Sequence, residues 1–341
     1  MARHGWAALP AAFLLALSAL AGARAQTPAA PAAGQKASPP YLQLKTIDLP
    51  GTSGGSGGAV AFDTDTDTVW LSQAVNRNLV VVDAATNTVR RVIEGVETAS
   101  EIGFSEHYVF IPDAMNPAAV VIGKRSLEKA AALRPVGASP GAAYFDSKQG
   151  LLWVTAANGE MTVFKAVGRG GFKHLAGLRL KPGPPKETPG AGLYVLSKDR
   201  LYQPVDDVID VINPKSLKLE HIWNTAAAGR IASLAYDPRT DRLVAGSEAS
   251  LVLVVDAKSG KAVARLPIRG KAGAVSVDPG LRRAYVADAA GLVEVIDLDR
   301  NTIVTSFASE PGVRALAVDP TSHALYVYRA RANKLDVYAP R

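Results

Sequence analysis

The chain has 341 residues, 48% of them hydrophobic and 20% charged, with a formal net charge of +7 and no cysteine. That length and apolar share can fill one large core. The lack of cysteine excludes disulfides, thiolate metal sites, C-x-x-C-H haem attachment and a lipid-modified N-terminal Cys.

In chain order, the first element is a leader. Arg3 and the amino terminus precede the apolar run AALPAAFLLALSALAG, and Ala23-Arg24-Ala25 supplies an A-x-A site. Residues 1–25 therefore read as a signal peptide cut before Gln26, which makes the protein periplasmic or secreted. As an uncleaved anchor the run falls short of the roughly 20 apolar residues a span needs, so no membrane span is expected after cleavage. Losing Arg3 and Arg24 leaves a charge of about +5, a mildly basic balance that permits anionic partners without requiring them. Residues 26–40, QTPAAPAAGQKASPP, form an Ala/Pro-rich linker.

From residue 41 onward the chain repeats itself. A short strand ending in a polar turn recurs at AFD (Asp63), GFS (Ser105), YFD (Asp146), VLS (Ser197), AYD (Asp237), SVD (Asp278) and AVD (Asp319). The intervals are about forty residues, a propeller period, and the one longer interval holds an inserted loop at 181–189, KPGPPKETP. Unit six shows the pattern most clearly, with strand a at 272–277, b at 284–287, c at 292–297 and d at 302–307. Strands such as LVVVD (79–83) and LVLVVD (251–256) are apolar almost throughout, as expected of sheets covered on both faces. Residues 41–341 are thus expected to form an all-β, seven-bladed β-propeller with four antiparallel strands per blade. Unit seven stops after strand c, and YLQLKTIDLP (41–50) resembles a strand d. Residues 41–49 are therefore predicted to complete the last blade and close the ring.

The repeat resembles that of the YVTN/YncE-type β-propellers. The matching residues are Tyr285-Val286, Val295-Ile296-Asp297, Asn301-Thr302, and Asp83 with Thr86-Asn87-Thr88. The resemblance spans about residues 41–341; units two and four depart from it, with FIPDAMNPAAVVIG and YQPVDDVIDVINP in place of the Tyr-Val-Thr-Asn region. It implies an exported bacterial propeller and no particular chemistry, since such folds host binding, scaffolding and catalysis alike.

In a four-stranded blade the b–c turns and d–a connections share one face, and the a–b and c–d turns share the other. Ligands in propellers usually sit where the first face meets the central channel. Residues offered there include Asn76, Arg77, Asp113, Asp206, Asp207, Glu248 and Arg331 on b–c turns, with Glu101, Arg230 and Arg314 at the starts of strands a. Glu101 stands out among small inner-strand residues. It reads either as a channel-lining carboxylate solvated or paired with Arg314 or Arg230, or as a ligand contact. Asp206-Asp207 reads as a solvated turn or as a site for a cation.

Two motifs lose their first interpretation under inspection. GTSGGSGG (51–58) lacks a following helix and a G-K-[ST], so it serves better as a flexible passage into the first inner strand than as a phosphate cradle. DTDTDT (63–68) resembles the start of a calcium loop, but Thr68 and Ala74 stand where such a loop needs Gly and Glu. Aligned with its sister turns it is an a–b turn opened by an Asp that can bond backbone amides two residues on.

No histidine is expected in the mouth: His107 and His323 fall in a–b turns, His174 near a c–d connection and His221 in an outer strand. Neither a metal nor a cofactor is implied, and no G-x-S-x-G marks a nucleophile. Lys124, Arg125, Lys129, Lys165, Arg169, Lys173, Lys215 and Lys218 gather near the c–d turns of units two to four. They form either a solvated rim or a basic sector for nucleic acid, though no aromatic platform interleaves with them. The reading is a propeller that binds a small polar ligand or a protein segment at its channel mouth. The alternatives are a lactonase-, hydrolase- or isomerase-like enzyme using carboxylates, and an anion- or nucleic-acid-binding propeller.

Overall fold

The structure is a computed structural model that describes residues 40–53, 55, 57–96, 101–113, 116–134, 136–137, 139–168, 171–180, 188–227 and 229–341. The expected leader, nearly all of the linker and most of the inserted loop at 181–189 lie outside the described residues. Seven four-stranded antiparallel sheets follow one another in the a-b-c-d order of the repeats. Unit six forms strands Ala272–Asp278, Arg283–Asp288, Leu292–Asp297 and Thr302–Ala308, within a residue or so of the sequence expectation. Strand a shrinks to Gly103–Phe104 in blade 2 and Leu193–Val195 in blade 4, the two units that depart from the repeat.

The ring closes as expected. Strand Tyr41–Asp48 pairs antiparallel with Lys334–Pro340, from Tyr41 opposite Pro340 to Asp48 opposite Lys334, and becomes the outer strand of blade 7. The Thr46 hydroxyl donates to Asp336 (2.7 Å), Lys334 pairs with Asp48 (2.6 Å), and the Tyr41 hydroxyl reaches that of Tyr285 in blade 6 (3.1 Å).

The core is divided among the seven interfaces between neighbouring blades. Trp70, Leu79 and Val81 of blade 1 pack on Val109, Ile111 and Ile122 of blade 2. On the other side of the same sheet, Leu71, Val80 and Val82 pack on Tyr326, Leu335 and Val337 of blade 7. Each b and c strand thus spends both of its side-chain faces on neighbours, which explains the missing polar alternation. Fully burying a side chain such as Trp70 or Trp153 contributes on the order of 2–3 kcal/mol, and neither blade of a pair can realise this alone.

The inner strands approach closely enough to need small residues. Gly273 lies against the backbone of Arg314, where a Cβ would come within 2.5 Å of the carbonyl oxygen. Gly58, at the end of the Gly-rich passage, has a φ of 144° and would drive a Cβ to within 2.2 Å of the Ser72 carbonyl. That close approach is the structural use of Gly58.

The face bearing the a–b and c–d turns is fastened by ion pairs between blades. In DTDTDT, Asp63 accepts from the Thr66 hydroxyl (2.6 Å) and the Asp65 amide (3.4 Å), as a turn-opening Asp should. It is also buried against Lys124 of blade 2 at 2.6 Å, and Asp65 lies 2.8 Å from the same ammonium. Farther round, Arg282 grips buried Asp237 through two bonds of 2.6 and 2.9 Å, and His323 meets Asp278 at 2.8 Å. Burial alone would raise Asp237, but Arg282 holds its carboxyl below the usual range.

Lys124, with 1% of its side chain exposed, is therefore a blade-to-blade tie and no part of a basic rim. Replacing Lys124 with Ala strands Asp63 in a buried site and should cost about 3 kcal/mol in denaturant unfolding; a loss under about 1 kcal/mol would contradict the role.

Candidate functional site

The hydrogen bonds confirm which loops share a face. Asn76, on the first b–c turn, accepts from the Thr52 amide (2.8 Å) and hydroxyl (2.9 Å) in the connection entering strand a. The Glu248 amide donates to the Arg230 carbonyl (2.8 Å), and the Ala289 amide to that of Lys271 (3.0 Å). The b–c turns and d–a connections thus lie together around one end of the channel.

That end opens into a cavity of about 360 Å³. Its wall is made of the inner strands, mostly small residues such as Gly57, Ala59, Ala274 and Ala315, with Phe62 and Phe104 toward the opposite face. The strands are held in register by polar ties around the channel. The Ser233 hydroxyl donates to the Gly273 carbonyl (3.0 Å) and accepts from the Val275 amide (2.8 Å). The Ala274 amide donates to the Arg314 carbonyl (2.7 Å), which fixes the backbone that carries that guanidinium.

Three charged residues line the cavity: Glu101 from blade 2, Arg230 from blade 5 and Arg314 from blade 7. At the rim Glu248 gathers cations, with Arg230 at 2.9 Å, Lys271 at 3.2 Å and Arg314 at 3.3 Å. Burial by itself would raise the Glu248 carboxyl, but Lys271, Arg230 and Arg314 together hold it below the usual range. Arg230 is further tied by its Nε to the Thr188 carbonyl (2.8 Å). Arg314 and Lys271 keep 42% and 58% of their side chains exposed, so both remain accessible from solvent.

Glu101 is in the opposite situation. Its carboxyl is enclosed by protein and only partly open to the channel, and burial pushes it up to about 8, with the Ile102 amide alone acting to lower it. Among the described residues no cation forms an ion pair with it, so the expected partnership with Arg314 or Arg230 is not made. Both guanidinium groups turn to Glu248 instead.

Of the sequence candidates, Glu101, Arg230, Glu248 and Arg314 are brought together. The others hold loops or stand apart. Asn76 braces Thr52, and Asp113 accepts from Asn116 (2.7 Å) within its own turn. Asp206 is buried at a positive φ of 52° with its carbonyl taken by the Ile231 amide, and the Asp207 carbonyl accepts from Thr225. Arg77 and Arg331 are exposed on their turns, the Arg331 amide donating to Glu310 (2.8 Å).

Lys271 escaped sequence reasoning. The signal was present: it lies seven residues before its landmark Asp278, the same phase that Arg230 has before Asp237. Of the expected basic sector, Lys129 donates to the Glu94 carbonyl (2.7 Å), Lys165 to that of Gln149, and Lys215 pairs with Asp199 (3.2 Å); Arg169 lies outside the described residues. Among the described residues no group of three or more His, Asp or Glu side chains could hold a metal ion, and no helix is long and apolar enough to cross a membrane.

Comparison with models of known protein families finds no match, and no curated protein is found similar to the chain.

Because the folded protein holds the Glu101 proton more tightly than the unfolded chain, whose Glu titrates near 4.5, its contribution is complete at low pH and is lost as pH rises toward about 8. Unfolding free energies of wild type and Glu101→Gln should therefore diverge across that window, wild type losing at most about 1.4 kcal/mol per pH unit relative to the variant. Parallel profiles would show that the carboxyl titrates normally.

Proposed function

We propose that this protein is an exported binding propeller of the YVTN/YncE type whose channel mouth holds a small polar ligand by an anionic group. The observation that carries the reading is the charge count at the rim. Among the described residues three cations, Arg230, Lys271 and Arg314, meet one carboxylate, Glu248, and Lys271 and Arg314 stay open to solvent beside the cavity. A carboxylate or phosphoryl oxygen can share these donors without displacing Glu248, and guanidinium groups fixed from behind are already oriented for it. The cavity volume is that of a small-molecule site. The leader at residues 1–25 and the repeat residues that resemble the family support export.

A second reading, the carboxylate enzyme, draws on one observation: Glu101 is raised and Glu248 lowered on the same mouth, the pattern of an acid–base pair. Glu248, however, is engaged by three cations, which makes it a poor base, and Asp113 is occupied in its turn. Binding is the better-supported reading.

Calorimetric titration of the mature protein at low salt with acetate, butanoate and inorganic phosphate tests the binding. At least one should bind, and Arg314→Ala should weaken it about tenfold, or ~1.4 kcal/mol. Equal affinity in the variant, or no binding to wild type, would remove the basis of the proposal. For export, the N-terminus of the protein recovered outside the cytoplasm should be Gln26; a chain retaining Met1 would contradict a cleaved leader.

A further inference from the structure

We propose that the occupant of the mouth is a zwitterion, an amino acid or straight-chain ω-amino acid, with its carboxylate on Arg230, Lys271 and Arg314 and its ammonium on Glu101. The inference rests on the reading of the mouth as an anion site and deepens it by naming the ligand class.

Of the three ionisable side chains in the cavity wall, Glu101 is the one with no ion-pair partner among the described residues. Glu101 shares the cavity with Arg230 and Arg314, yet both guanidinium groups are directed to Glu248, and among the described residues no other cation reaches it. Much of the cavity wall it shares is small and uncharged, Gly57, Ala59, Ala274 and Ala315 among its residues. An ionised carboxyl in such a setting is costly unless it is neutralised or paired. A ligand cation supplies the pairing.

Charge complementarity then narrows the ligand. A simple anion satisfies the rim but leaves Glu101 without a cation. A diamine satisfies Glu101 but meets three cations at the rim. Only a molecule with one charge of each sign matches both ends of the site. The small residues of the cavity wall leave room for a slender methylene chain. Burial holds the Glu101 proton to about pH 8, with the Ile102 amide alone acting to lower it, and the other ionisable groups of the wall are Arg230 and Arg314; an arriving ammonium would draw that proton off.

The test is calorimetric titration of the mature chain with matched pairs: glycine against acetate, β-alanine against propanoate, 4-aminobutanoate against butanoate, and 6-aminohexanoate against hexanoate. The series also reads out the separation of the two charges. At least one amino compound should bind ten or more times more tightly than its partner, and Glu101→Gln should bring that ratio to about one while leaving the simple carboxylate's affinity in place. If carboxylates bind and no pair differs, or if the ratio survives in Glu101→Gln, the zwitterion assignment is wrong and the anion site stands. If neither member of any pair binds, both readings fail. Should Glu101→Gln not fold, the ratio in the wild-type protein decides by itself.

Discussion

Everything in this structure depends on sheets that are apolar on both faces. A blade such as blade 1 can hide Trp70 only against blade 2 and Leu71 only against blade 7, so no blade is stable by itself and the stack is satisfied only as a closed ring. This is why the chain sends residues 41–48 across to the last blade before starting the first. The strand pairing joins the two ends of the propeller, and it covers the edge of Lys334–Pro340 that would otherwise be open to another chain.

With the ring secured by packing, the two faces are used differently. On the face of the a–b and c–d turns, carboxylates are bonded across the blade interfaces: Asp63 and Asp65 to Lys124, Asp237 to Arg282, Asp278 to His323. These pairs cross from blade to blade and are consumed in holding neighbours in position. On the channel-mouth face, among the described residues, three cations meet at Glu248 while the Glu101 carboxyl has no cation partner. Structural ion pairs tend toward local neutrality, because each unpaired buried charge is costly. Solvent-accessible cations and an unpaired carboxyl in one mouth are therefore the strongest pointer to a ligand among the described residues.

Much of the architecture was legible in the sequence because it is periodic. The turn-opening Asp at 63, 146, 237, 278 and 319 counted blades, and the missing strand d of unit seven pointed to the role of residues 41–49. What was not legible depends on the lateral alignment of different blades. Nothing local to Lys124 says that it will enter a site sixty residues upstream; in sequence it belonged with exposed lysines. The DTDTDT run was correctly a turn, but its partner across the blade interface was invisible. At the mouth, Glu101, Arg230 and Arg314 could be placed by their position before strand a, whereas their pairing could not. Lys271 was recoverable only by comparing repeat phases, and Asn76, Asp113 and Asp206 were polar residues recruited to hold the turns they stand on.

The central claim is that Arg230 and Arg314 form an anion-receiving rim on one end of the channel. The most direct measurement is an NMR titration of the arginine Nε–Hε resonances with acetate, assigned through Arg230→Lys and Arg314→Lys. The account predicts saturable shifts concentrated in Arg230 and Arg314, with Arg282 on the opposite face unmoved. Shifts spread evenly over exposed arginines, or none at Arg230 and Arg314, would contradict it.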